Sequence, residues 1–185
     1  MTAVRLCPTH YHSFFHLLTR NSPSQPLVMV GTLSVAEIED VLKKSVMGRL
    51  GCSADGETYI VPISFVYDGR AVICHTKEGK KTAMMRQNPN VCFQTEDMVN
   101  MSNWRSVVIQ GTYEEVTDKS ERNKAMLALL NRYLPILSSV TTHLGKYWPF
   151  KPEDTNDIDG IVFQIIIREK SGRFETSSYS PDLPD

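Results

Sequence analysis

The chain has 185 residues, a net charge of −1, and 41% hydrophobic and 22% charged residues. That is the size and make-up of one globular domain with an ample core, and the near-neutral charge excludes general affinity for nucleic acid or anionic membranes. No apolar run approaches the roughly 20 residues needed to span a bilayer. The four cysteines, Cys7, Cys52, Cys74 and Cys92, form no C-x-x-C pair. The last three lie in predicted strands and read as buried thiols of a reducing, cytoplasmic compartment.

Residues 1–33 hold no acidic residue, and Pro23, Pro26 and several serines and threonines break any periodicity. They read as a weakly ordered extension. Phe14 to Leu18 is too short for a secretory core, Arg5 and Arg20 are few for a transit peptide, and Met29 is a possible alternative start. Cys7, His10, His12 and His16 match no standard metal-ligand spacing. Ser34-Val35-Ala36-Glu37 is a capping box, and Val35, Ile38, Val41 and Leu42 carry the helical apolar period of a packing helix.

Val46 to Cys52 reads as a strand, Ser53-Ala54-Asp55-Gly56 as a turn, and Thr58 to Tyr67 as a second strand rich in β-branched and aromatic residues. Asp68-Gly69 then predicts a type I′ hairpin with positive φ at both residues, and Arg70 to His75 is the returning strand. Pro62 cannot donate a ladder hydrogen bond. The strand around it is therefore an edge, is bulged, or faces something other than a strand. A flat ligand fits such a gap, with the backbone groups of Ile63, Ser64 and Phe65 free for a polar heterocycle. His75-Thr76-Lys77-Glu78-Gly79-Lys80-Lys81 leads into a helix over Lys80 to Asn88, stopped by Pro89. Unpaired N–H groups, a positive dipole end, three lysines and a threonine hydroxyl are the parts of a phosphate site, although a lysine pair alone favours a solvated turn.

A fourth strand follows through Val91-Cys92-Phe93. Met98 to Asn103 reads as a polar loop and Trp104 to Val116 as a long strand. Trp104 and Arg105 suit stacking on and donating to a flat ring, or an aromatic anchor at a dimer interface. Thr117-Asp118 caps a helix over Lys119 to Leu134 with an apolar stripe of Ala125, Met126, Leu129, Leu130 and Tyr133. An irregular segment to Asp159 carries Tyr147 and Trp148, placed to close over a pocket. Ile158 to Lys170 is a buried strand, and Ser171 to Asp185 a polar tail that frays.

Gly48-Arg49-Leu50, Val61 to Gly69, His75-Thr76 with Gly79-Lys80-Lys81, Asn88 to Phe93 and Trp104 to Val108 occur in this order over about residues 34–135. In order and spacing the set resembles the pyridoxamine 5′-phosphate oxidase-related flavin-binding family, and within it the branch containing 5-nitroimidazole resistance proteins. The resemblance implies a mainly β protein with flanking helices, a Greek-key split β-barrel over residues 34–170, assembled as a homodimer with FMN at the subunit interface. It implies that Lys80 and Lys81 hold the FMN phosphate, that Pro62, Ile63, Ser64 and Phe65 line the isoalloxazine edge, that His75 and Thr76 lie between ring and phosphate, and that Trp104, Arg105 and Ser106 reach the ring. His75 is the candidate catalytic residue.

The chain departs from true pyridoxamine phosphate oxidases. Ile60 or Val61 stands where they carry an arginine, and Ser171-Gly172-Arg173-Phe174 offers no substrate-phosphate segment. The expected activity is thus hydride transfer at flavin N5 to or from another small molecule, nitro-compounds included. NADH or NADPH would act as a transient donor, since no G-x-G-x-x-G is present. The alternatives are a flavin- or haem-binding protein without turnover, and a barrel that prefers a deazaflavin.

Overall fold

The computed structural model describes residues 28–133, 155 and 158–178. Tyr147, Trp148, Cys7 and the histidines of the extension lie outside them. Ten elements follow one another: β1 (Val28–Thr32), α1 (Val35–Lys44), β2 (Met47–Ala54), β3 (Glu57–Tyr67), β4 (Ala71–Thr76), α2 (Lys80–Gln87), β5 (Asn90–Asn100), β6 (Asn103–Glu115), α3 (Lys119–Tyr133) and β7 (Ile161–Ser177). The strands form one sheet in the order β1-β7-β4-β3-β2-β5-β6, and β6 also pairs with β7. The sheet thereby closes into a ring, and every strand pairing among the described residues is antiparallel.

Alternation along each strand separates an inside from an outside. Leu50, Phe65, Phe93, Val107, Ile109, Phe163 and Ile165 are fully buried within the ring, where Phe65 and Phe93 meet edge to face at 4.9 Å. A second apolar cluster lies outside it, where Ala125, Met126, Leu129 and Leu130 of α3 cover Ile73 and Val162. Strand β4 is therefore buried on both faces. Helix α1 closes one end of the ring through Ile38, Val41 and Leu42, and Leu33 packs against Gly172 there.

Several boundaries differ from expectation. Val28–Thr32, read with the extension, forms β1 along the second half of β7. Ser171–Ser177, read as tail, continues β7 because β6 and β1 pair with it on both edges. The polar loop at Met98 shrinks to a turn at Met101-Ser102, with β5 running to Asn100. Val35, expected on the packing face of α1, is 75% exposed. The doubly positive φ pair lies at Asp55-Gly56 (50° and 79°) between β2 and β3, whereas at Asp68-Gly69 Gly69 alone is positive. The Asp68 carboxylate shapes that second turn instead, accepting the N–H groups of Arg70 and Ala71 at 2.7 and 2.8 Å; it is an Asx turn rather than a I′ hairpin.

Candidate functional site

The predicted residues fall into two groups. The first surrounds a gap between β3, β4 and α2. Strand β3 pairs with β2 from Glu57 to Ser64 but with β4 only over Phe65–Tyr67. Its outer edge is thus open over the stretch containing Pro62, which satisfies the edge reading of that proline. Pro62 is exposed and Ser64 half-buried on the outward face, while Ile63 and Phe65 point into the core. The Phe65 N–H donates to the Val46 carbonyl on the β2 side at 3.1 Å, and Ile63 shares its parity, so the backbone groups that face this open edge are those of Ser64 and the Pro62 carbonyl.

Beyond Cys74, β4 has a neighbour on one side alone, with His75 opposite Val162 and Thr76 opposite Ile161. The chain then turns through Lys77-Glu78-Gly79 into α2. The N-cap Gly79 has no side chain to cap that helix start, although its own N–H donates to the Thr82 hydroxyl at 3.0 Å. The two lysines differ. Lys80 is ion-paired with Glu57 and lies 5.1 Å above the Tyr59 ring, and the Glu57 contact holds its ammonium above its usual range. Lys81 has no hydrogen-bond or ion-pair partner among the described residues. Burial raises the Cys52 and Cys74 thiols, against the opposing charge of Lys81.

His75 is half-buried, with Nε2 2.9 Å from the Asp159 carbonyl. Burial, with smaller contributions from the charges of Arg122 and Lys77, lowers its pKa against the opposing pull of that hydrogen bond. A carbonyl only accepts, so Nε2 carries the proton. The Thr76 hydroxyl donates to the Lys77 carbonyl at 3.2 Å.

The second group lies on β6, with β2 and β5 between it and β3. Successive residues there point to opposite sides. Trp104 donates to Glu175 at 3.2 Å and the Ser106 hydroxyl accepts from Gln94 at 3.0 Å. Arg105 turns the other way and is held by Asp40 of α1 at 3.0 Å and Asp97 at 2.5 Å. Trp104 and Arg105 line a hollow of about 380 Å³ with Phe174, Glu37 and Glu175. A single chain therefore does not bring the β6 group to the α2 group.

Between them the outward face of β3, β2, β5 and β6 contains a shallow hollow of about 550 Å³, lined by Arg49, Gly51, Ile60, Cys92, Gln94 and Gln110 among others. Sequence reading missed all of these as site residues. The period-two alternation that buries Leu50 and Phe93 places Arg49, Cys92 and Gln94 on the opposite face, and that was the available signal. Arg49 bridges Gln94 and Glu96 at 3.2 and 2.7 Å.

Similarity to known proteins agrees with this architecture. A crystal structure of an FAD-binding protein from Mesorhizobium loti is 30% identical, covers 80% of this chain and 98% of its own, and superposes with a TM-score of 0.62. A structure from Bacteroides thetaiotaomicron, named as a candidate 5-nitroimidazole antibiotic resistance protein, shares the fold at 16% identity, with a TM-score of 0.61 over 94% of this chain and 100% of that one. An uncharacterised protein of Rhizobium meliloti (strain 1021) is 34% identical over 89 residues, which span 48% of this chain and 59% of that relative. The sequence profile described as pyridoxamine 5′-phosphate oxidase matches residues 34–173. The chain belongs to that family.

Proposed function

We propose that this chain binds FMN and acts as a flavin-dependent oxidoreductase on a small organic molecule, nitro-compounds included, with NADH or NADPH as a transient donor. The observation that carries the reading is Lys81: an ammonium without a partner among the described residues, at a helix start whose N-cap Gly79 has no capping side chain, near an open strand edge, in a chain of this family. That arrangement suits a phosphate monoester joined to a flat heterocycle, the dipole end and Lys81 facing the anion and the β3 edge facing the ring. Flavin binding by the Mesorhizobium loti relative supports the same ligand class. When bound, the flavin supplies the hydride and electron chemistry. The residues of this chain bind it, orient it and limit water around it.

A split-barrel homodimer completes the proposal. The outward face of β3, β2, β5 and β6 has no helix over it among the described residues and exposes Met47 (47%) and Ile60 (65%), an unusual surface for an isolated domain. The α2 and β6 groups flank this face. A twofold axis through its centre would bring the β6 group of one copy toward the α2 group of the other.

The test begins with an absorbance spectrum of the freshly purified protein, followed by anaerobic NADH or NADPH. A flavin spectrum that bleaches and then recovers with a nitroaromatic or oxygen is expected. A flavin that no donor reduces would mark a binding protein without turnover, and failure to take up FMN on reconstitution would overturn the reading. Lys81→Ala should weaken FMN binding by about 1.5–3 kcal/mol, the range for hydrogen bonds to charged groups. Riboflavin, lacking the phosphate, should bind both proteins alike.

A further inference from the structure

We infer that His75 and Arg122 are positioning residues that latch the turn Ile158–Gly160 onto the end of β4, fixing the loop from which the chain enters α2. The consequence for FMN rests on the flavin reading above; the latch itself is argued from contacts alone.

The end of β4 needs such a device. Strand β3 leaves it after Cys74, and from His75 onward the ladder continues on the β7 side only. Lys77-Glu78-Gly79 and the uncapped start of α2 hang from this half-supported end. Opposite it, the imidazole donates through Nε2 to the Asp159 carbonyl at 2.9 Å. The adjacent Gly160 comes so close that a Cβ there would lie 2.5 Å from Nε2 and 2.7 Å from the Thr76 carbonyl oxygen. Its φ of +119° also disfavours any other residue.

Arg122 holds the same turn through its carbonyls. Nη1 donates to the Thr155 carbonyl at 3.1 Å, and Nη2 to those of Ile158 at 2.6 Å and Gly160 at 3.4 Å. Asn123 bonds the Thr155 hydroxyl. Both residues belong to α3, and the next turn of that helix packs Ala125 and Met126 in the cluster containing Ile73 of β4. The turn is thus clamped between a helix anchored on β4 and a histidine at the end of the same strand. His75 spends its one N–H on a backbone carbonyl. This fits a residue that acts through the loop rather than on a substrate.

Amide hydrogen exchange across Lys77–Lys81 tests the latch without any ligand, and FMN titration tests its consequence. In His75→Leu we expect exchange there to quicken about tenfold, as for a segment that loses an anchoring hydrogen bond. FMN affinity should fall by a similar factor. His75→Gln, which can place an N–H near the same carbonyl, should recover most of both, and Arg122→Gln should behave like His75→Leu should the latter fold poorly. Unchanged exchange at Lys77–Lys81 in both His75→Leu and Arg122→Gln would overturn the latch. So would FMN affinity kept in His75→Leu and His75→Gln alike with turnover lost, the pattern of a substrate-facing histidine. If the wild-type protein takes up no flavin, the flavin reading falls while the exchange comparison still decides the latch.

Discussion

Gly111 lies on β6 at the register shift in its pairing with β7. A Cβ there would stand 2.4 Å from Ile165 Cγ2 and 2.7 Å from the Ile166 carbonyl oxygen. The second of these is backbone inside a paired ladder and cannot swing away. Gly111→Ala should therefore cost about 1–3 kcal/mol, the range for overpacking a tight interior, measured by urea unfolding. His75 carries a pH signature. Burial lowers its folded-state pKa below the 6.5 of an unfolded histidine, so the unfolded chain takes up this proton first. The stability that neutral His75 brings is complete above pH 6.5 and is lost as pH falls from there through the folded value. Wild type should lose stability over that window with a slope of at most about 1.4 kcal/mol per pH unit, and His75→Gln should lack this component. At this scale the sequence was partly legible. Lys81 stood out by its position before Asn88-Pro89, but its difference from Lys80 depends on Glu57, a partner 23 residues away. Trp104 and Arg105, grouped in the sequence, line one hollow although their polar partners lie on different elements.

Elements whose limits are set locally were read well. Helix α1 begins at Ser34 because its N–H donates to the Glu37 carboxylate at 2.7 Å and Glu37 returns its own N–H to Ser34 Oγ at 3.4 Å. Ser34→Ala should cost about 1 kcal/mol of stability, seen as a lowered Tm. Asp118 caps α3 in the same manner, accepting the Glu121 N–H at 3.0 Å. Elements whose limits are set by distant neighbours were read poorly. The second half of β7 lacks a long apolar run, and nothing local in Ser171–Ser177 calls for a strand; β1 and β6 make it one from either side. Turn type was equally non-obvious, since Asp55-Gly56 and Asp68-Gly69 are identical dipeptides that adopt different turns. Pro62 bears on the open edge of β3, where a row of free backbone groups invites another strand as readily as a ligand. Pro62→Val restores a donor and a β-favouring side chain. It should raise concentration-dependent light scattering of the ligand-free protein, whereas unchanged scattering would show the edge to be protected by other means.

The closed ring makes the described residues a scaffold with one face, that of β3, β2, β5 and β6, that none of their helices covers. Its order of strands was not legible from periodicity, because closure depends on β6 meeting β7 across α3 and the segment that follows. The family resemblance supplied what local pattern could not. If two copies share each site across the uncovered face, Lys81→Ala and Trp104→Ala proteins, both deficient alone, should complement each other. Unfolded together and refolded as a random mixture, they should recover about a quarter of the wild-type flavin capacity, since half the dimers would be hybrids with one intact site of two. No recovery on mixing would place each site within a single chain. Closure by β7 also constrains how the chain is made. This strand fills the interior with Phe163 and Ile165 and pairs with β1, β4 and β6. On the ribosome everything from β1 to α3 emerges first, as an incomplete sheet with two unsatisfied margins. A pause in translation before residue 161 would hold the nascent chain in that state, where its best available seventh strand belongs to another molecule.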